Sequence, residues 1–281
     1  MKSKYLSILD VNPAGERGRL HYAIQPYHHG GRWKFQARLP SDKYKNIVSY
    51  YHQVHVPENN QYRTIYPTGN TAIVFRFDDL NPNVFLVGTP TLPREAEYVT
   101  LGCDYFVVLF WPGMGHIFHP VPAIELTDKS LPLDELFPGD SERLLERMVY
   151  TKNFEERVQI IEQFFEGGMI LSGGIPNHLL SIGAMICRNT DYWEGNKLEG
   201  YTQRHTRRLF QRYLGVSPRL FRRIMRHQKT LRVLNSKPHQ DMAGLAWELG
   251  YYDQAHFIRE FKRFQGSTPT QFIKEFSRLD Q

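Results

Sequence analysis

One arrangement of residues occurs twice in this chain. "FQRYLGVSPRLF" at 210–221 and "FKRFQGSTPTQF" at 261–272 superpose at a shift of 51 residues. Phe210 then falls on Phe261, Tyr213 on Phe264, Gly215 on Gly266, Pro218 on Pro269 and Phe221 on Phe272. Upstream, Thr202 falls on Asp253, His205 on His256 and Arg208 on Arg259. A duplicated supersecondary unit explains aromatic, glycine and proline positions that repeat together.

The second copy displays the workings of the unit. "DMAGLAWELG" (241–250) has helical spacing, with Leu245, Ala246 and Leu249 turned inward and Gly250 as its stop. Asp253 is placed to cap a second helix over 254–264, "QAHFIREFKRF". At 100° per residue Phe257, Phe261 and Phe264 share one face and must be core. Ala255, His256, Arg259, Lys262 and Arg263 lie opposite. A short helix, a tight turn and a helix with a cationic outer face make a DNA-reading helix-turn-helix. Gly266 then caps that helix, while Thr268 and Pro269 start another.

The first copy is a weaker version. Its reading helix, "QRHTRRLFQRYL" (203–214), turns Arg204, His205, Arg208 and Arg212 outward, but Thr206 occupies the position of Phe257. In the preceding helix Glu194 and Gly195 stand where Leu245 and Ala246 do. The lost apolar burial predicts a unit less stable by about 1–2 kcal/mol, ordered mainly by its neighbours. Between the copies, "SPRLFRRIMRHQKTLRVLNS" (217–236) predicts a linker helix capped by Ser217 and Pro218. Leu220, Ile224, Leu231 and Leu234 line one side of it, and Arg219, Arg222, Arg226 and Lys229 are candidates for phosphate contact.

Charge separates the two ends. Residues 201–281 carry 16 Lys/Arg against 6 Asp/Glu, whereas the first 200 carry 19 against 23. A net +10 on the helical end favours a polyanionic partner there, and a helix-turn-helix used only for protein contacts would not require it.

The stretch "LAWELGYYDQAHFIREFKRFQGSTPTQF" resembles the C-terminal signature of the AraC/XylS family of bacterial transcription regulators. "YTQRHTRRLFQRYLGVSPRLFRRIMRHQKTLRVL" resembles the first helix-turn-helix and linker helix of that family. The likeness spans about residues 190–276 in both motif order and spacing. It implies two units that place their second helices in successive major-groove segments of double-stranded DNA. The family's base-reading positions fall on Arg204, Arg207 and Arg208 in the first unit and on Gln254, Ala255, His256 and Arg259 in the second. The helix-face argument selects neither Arg207 nor Gln254. Contact with RNA polymerase, a small-molecule effector and a homodimer are all compatible with the resemblance and stay open.

The N-terminal part is β-rich. "IVSYYHQVHV" (47–56), "TAIVFRF" (71–77), "NVFLVG" (83–88) and "DYFVVLFW" (104–111) are strand-like runs separated by turn signals, which favours a barrel or sandwich. The proline-spaced stretch 119–140 ends the strand pattern, and helical periodicity begins at Ser141. Phe154, Val158, Ile161 and Phe165 share a helix face, for packing on the β-rich part or on a second subunit. This part also resembles, more loosely, the β-rich domain ahead of the DNA-binding module in one subgroup of regulators, the cupin-like barrel of better-known members being the nearest expectation.

The expected fold is therefore multidomain α+β. A β-rich sensor or assembly domain spans 1–140, a helical connector 141–168 and an all-α DNA-binding domain 169–281. Within the last, the first helix-turn-helix covers about 190–214, the linker helix 217–235 and the second helix-turn-helix 240–264. A fragment of residues 170–281 is expected to bind DNA by itself.

The rival class is a cupin-like metal-dependent enzyme carrying an accessory DNA-binding domain. Its candidate ligands are His28, His29, His52, His55, His116 and His119, but His52 and His55 are three apart on a strand and face opposite ways. No carboxylate accompanies "GHIFHP", and the chain holds no phosphate loop, GxSxG or HExxH. No cofactor, metal or catalytic residue is assigned. With two distant cysteines, no apolar run of membrane-spanning length and no signal-like start, the expected location is the cytoplasm.

Overall fold

The computed structural model describes residues 35–58, 64–119, 121–169, 202–236 and 241–279. The expected first helix of the first unit, His28, His29 and Cys187 lie outside the described residues.

The strands are β1 (Phe35–Arg38), β2 (Val48–Val56), β3 (Thr64–Ile65), β4 (Ala72–Phe77), β5 (Asn83–Val87), β6 (Arg94–Glu95), β7 (Cys103–Phe110) and β8 (Ser130–Pro132). Six of them form an antiparallel sheet in the order β1-β2-β7-β4-β5-β8, and β3 pairs with β6 in a small separate ribbon. Strand alternation supplies both layers. On β7, Phe106, Val108 and Phe110 enter the core that faces the helices. Cys103, Tyr105 and Val107 enter a second core on the opposite face, which includes Ile65, Ala96 and Tyr98 from beside the ribbon.

Two expectations change here. The sheet is not closed into a cupin-like barrel among the described residues: β1 and β8 are its opposite edges, and the arrangement is sandwich-like. The strand pattern also does not end before residue 119, because β8 lies within the proline-spaced stretch. Pro132 pairs with Phe85 on an edge strand, where a missing N–H is tolerated.

Among the described residues, α-helices cover the inner face. These are α1 (Ala123–Leu126), α2 (Asp140–Tyr150), α3 (Phe154–Phe164, continuing as a π turn through Phe165–Met169) and α4 (Gln203–Leu214). Phe154, Val158, Ile161 and Phe165 are buried against the sheet, so this face is used within the chain. Arg157 helps to fix α3, its guanidinium donating to the Met148 and Thr151 carbonyls and to Gln53, and lying over the Phe77 ring.

The remaining helices are α5 (Pro218–Ser236), α6 (Met242–Glu248), α7 (Gln254–Gln265) and α8 (Pro269–Leu279). Their cores divide unevenly. Leu231, Leu234, Leu245, Ala246, Leu249, Tyr251, Phe257, Phe261 and Phe272 form a core of their own within the second unit. The inner residues of the first unit, Leu209, Phe210, Tyr213 and Leu214, belong to the core of the sheet instead, as do Phe221, Ile224 and Met225 of α5. Among the described residues, the neighbour against which the first unit packs is the β-rich part of the chain.

This junction is built from close approaches. Gly215 ends α4 in the left-handed region, φ +76°, and a Cβ there would meet the Thr127 hydroxyl at 2.3 Å and the Ala123 carbonyl oxygen at 2.7 Å. Only glycine satisfies both the conformation and the contact. The Thr127 hydroxyl donates to the Gly215 carbonyl at 2.8 Å, and His116 packs edge-on against Tyr213. On α5, Gln228 donates to the Pro67 carbonyl at 2.8 Å, and Phe221 and Met225 press against Gly69.

Candidate nucleic-acid interface

The second unit is assembled from capping and burial. Asp241 accepts from the Ala243 and Gly244 amides to start α6. Gly250, at φ +71°, makes the turn, and Asp253 accepts from the His256 amide at 2.6 Å to start α7. Phe257, Phe261 and Phe264 are wholly buried, which fixes the rotation of α7 about its axis. Gln254, Ala255, Arg259, Lys262 and Arg263 are consequently exposed along its outer side. Lys262 and Arg263 occupy its last turn, where cations favour the negative end of the helix dipole.

His256 is the half-buried member of that face. Its Nδ1 faces the Tyr252 amide at 3.4 Å and its Nε2 lies 3.7 Å from Glu260 Oε2. A neutral imidazole that accepts at Nδ1 carries its proton on Nε2, toward the carboxylate. The ring packs edge-on against Tyr251.

The first unit repeats the design with arginine. Thr202 accepts from the His205 amide at 3.2 Å, and α4 ends at Gly215. Arg204, Arg207, Arg208 and Arg212 are exposed, His205 is half-buried and Thr206 is fully buried. Arg207 and Gln254, which helical periodicity alone does not select, are thus as accessible as the others.

One expectation about the linker is corrected. Arg226 is not free to meet phosphate: its guanidinium donates to Glu260 Oε1, at 2.5 Å from Nη2, and to the Gly250 carbonyl at 2.9 Å. Arg223 takes the other carboxylate oxygen at 2.7 Å. Glu260 is 4% exposed, so α5 and α7 are joined by an ion triad built around a buried carboxylate. Burial pushes this carboxyl up, but the hydrogen bonds from Arg223 and Arg226 outweigh it and hold the group below the ordinary carboxylate range. Helical periodicity puts Glu260 about 65° from the centre of the phenylalanine face of α7, the signal in the sequence that could have pointed to this triad.

The N-terminal histidines are dispersed. His52 is buried, whereas the half-buried His55 meets Asp104 at 2.8 Å. His116 and His119 touch edge-on, and the Val121 carbonyl lies 3.1 Å from His116 Nδ1. Burial lowers both, His119 to about 4. Among the described residues no three His, Cys, Asp or Glu side chains are grouped to hold a metal ion. No helix among them is long and apolar enough to cross a membrane.

Comparison with known proteins matches one segment in each half of the chain to a domain family. Residues 197–275 match a helix-turn-helix domain family, and residues 36–132 match a domain of unknown function, DUF6597. An uncharacterized HTH-type transcriptional regulator of Haemophilus influenzae is 34% identical over 70 residues, which are 25% of this chain. The match spans about a quarter (23%) of the length of that relative. Among solved structures, ToxT from Vibrio cholerae superposes with a TM-score of 0.40 at 11% identity, over 86% of this chain and 98% of ToxT. An apo lysine-to-alanine variant of ToxT gives 0.42 at 12% identity, over 80% and 97%. Scores of this size do not establish a shared fold.

Proposed function

We propose that this chain, whose residues 197–275 are an AraC-type helix-turn-helix domain, is a sequence-specific DNA-binding transcription regulator. A single observation carries most weight. α4 and α7 each bury an aromatic face and expose a basic one, and a single helix of 19 residues, about 28 Å long, joins the two units. Such a pair is suited to two successive major-groove segments on one side of a duplex.

In this reading Arg204, Arg207 and Arg208 contact bases from α4, and Gln254, Ala255, His256 and Arg259 do so from α7. An arginine can bind guanine O6 and N7 together, worth about 1–3 kcal/mol of discrimination. His205, Arg212, Lys262 and Arg263 flank these positions and contact the backbone. The β-rich part acts as a sensor or assembly module, and the chain works in the bacterial cytoplasm without catalysing a reaction.

The test is selection of bound sites from a random duplex pool by the full chain, followed by a salt titration on the enriched duplex. The expected product is a site with two short constant segments about one helical turn apart, bound with a steep loss of affinity as salt rises. A pool without enrichment, or binding that ignores salt, would overturn the proposal.

A further inference from the structure

An open groove of about 700 Å³ lies between the first half of α5 and the turn of the second unit. Arg219 and Arg222 line it from α5, Trp247 and Tyr252 from the second unit, and His256 and Glu260 from α7. The charges in it do not balance. Glu260 is already committed to Arg223 and Arg226. Arg219 and Arg222 remain exposed, and neither forms an ion pair among the described residues. The groove is therefore positive, and an anion is its natural occupant.

Its other lining is unusual for a solvent surface. Trp247 is 83% exposed and Tyr252 is 89% exposed. Each offers a flat apolar body with one donor at its edge, the indole N–H or the phenolic O–H. The groove also has a defined neighbour, because His256 belongs both to its wall and to the outer face of α7. An anion that runs along the edge of a helix seated in the major groove is the sugar-phosphate strand bordering that groove.

We infer that this groove seats the phosphodiester backbone of the strand that passes between the two major-groove segments. Arg219 and Arg222 contact phosphates, and the Trp247 indole N–H and Tyr252 hydroxyl donate to neighbouring backbone oxygens. The inference rests on the DNA-binding reading above and adds to it residues that neither helix face contains. An acidic protein segment is the competing occupant, since Trp, Tyr and Arg are also the residues of protein hot spots. The backbone is favoured by the continuity of the groove with the reading face of α7.

The test uses the full chain, the selected duplex and an unrelated duplex of equal length. Removing one phosphate contact should lower the slope of log affinity against log salt by about 0.9, so the Arg219→Ala, Arg222→Ala double variant should lose about 1.8. Both duplexes should weaken by the same factor, and the selected sequence should not change. Trp247→Phe, which keeps the ring and removes the donor, should weaken both duplexes less than Trp247→Ala does. A double variant with unaltered thermal unfolding that retains the parental slope would overturn the inference and leave the groove to a protein partner. A parent chain that binds neither duplex in a salt-dependent way would overturn the DNA-binding reading itself.

Discussion

The hydroxyl of Thr127 and the carbonyl of Gly215 meet at 2.8 Å across 88 residues of sequence, and they join the end of α1 to the end of α4. The two repeat units therefore end in the same left-handed glycine but in different surroundings. Gly266 has φ +81° and nothing within 4 Å of the position of its Cβ, whereas Gly215 has Thr127 and Ala123 against it.

That difference can be measured. Gly266→Ala should cost about 1–2 kcal/mol, the strain of a left-handed alanine. Gly215→Ala adds a clash with backbone to the same strain and should cost at least about 1 kcal/mol more. Denaturant unfolding of both variants beside the parent makes the comparison, and equal losses would mean that the α1–α4 contact yields freely.

The shared core predicts unequal behaviour in a fragment of residues 170–281. The second unit keeps its own core in such a fragment, but Leu209, Phe210, Tyr213 and Leu214 lose the surface that buries them. Amide exchange should show α7 protected and α4 close to unprotected. Any binding to DNA should then depend on Arg259 and be insensitive to Arg208→Ala.

Arg259→Ala should relax base preference without harm to the fold, because the side chain is exposed and outside both cores. Discrimination at one position of the selected site should fall by about 1–3 kcal/mol. Identical sites selected by mutant and parent would remove Arg259 from the reading set.

Acid should loosen the second unit through two groups of opposite charge. His227 is fully buried, and burial lowers it to about 3 against the opposing pull of Gln265 and Glu260. The unfolded chain binds that proton near pH 6.5, so below 6.5 and down to about 3 stability should fall by about 1.4 kcal/mol per pH unit from this residue. Glu260 is held low by its arginines, so its contribution is complete above about 4.5 and fades as pH falls below that. His227→Phe, set beside Phe261 and Phe264, should flatten the upper part of this dependence and leave the lower part. Denaturation midpoints at pH 7, 5 and 4 separate the two.

Glu260→Gln should be damaging at neutral pH. It leaves Arg223 and Arg226, whose side chains are 26% and 16% exposed, facing each other without a counter-charge. A loss of about 2–4 kcal/mol is expected, tempered from the fully buried case by that residual exposure. Unfolding at pH 7 and moderate salt measures it, and a loss under 1 kcal/mol would show that the arginines find other partners.

Much of this architecture was legible because periodicity reports which side of a helix is buried. The phenylalanines at 257, 261 and 264 fixed α7 and therefore its outward residues. Runs rich in β-branched and aromatic residues between turn signals located β2, β4, β5 and β7. β1, β3, β6 and β8 have between two and four residues each, too few for such a run to register. Periodicity also does not say what a buried face is buried against. Leu209, Phe210, Tyr213 and Leu214 look alike whether they meet a partner helix or a sheet. The Glu260 triad was obscured for another reason: a charged residue near an apolar face reads as tolerated exposure until its arginines are found in space.

The contact of Thr127 with Gly215 limits how modular the chain can be. Regulators of two domains are often recombined by grafting one sensor onto another reader at the junction. A graft that replaced everything before residue 197 would here remove the floor beneath α4 while sparing α7. Under the proposed function the chimera would inherit half an address, so any replacement domain would have to bring a surface matching α4 before the full site could be read again.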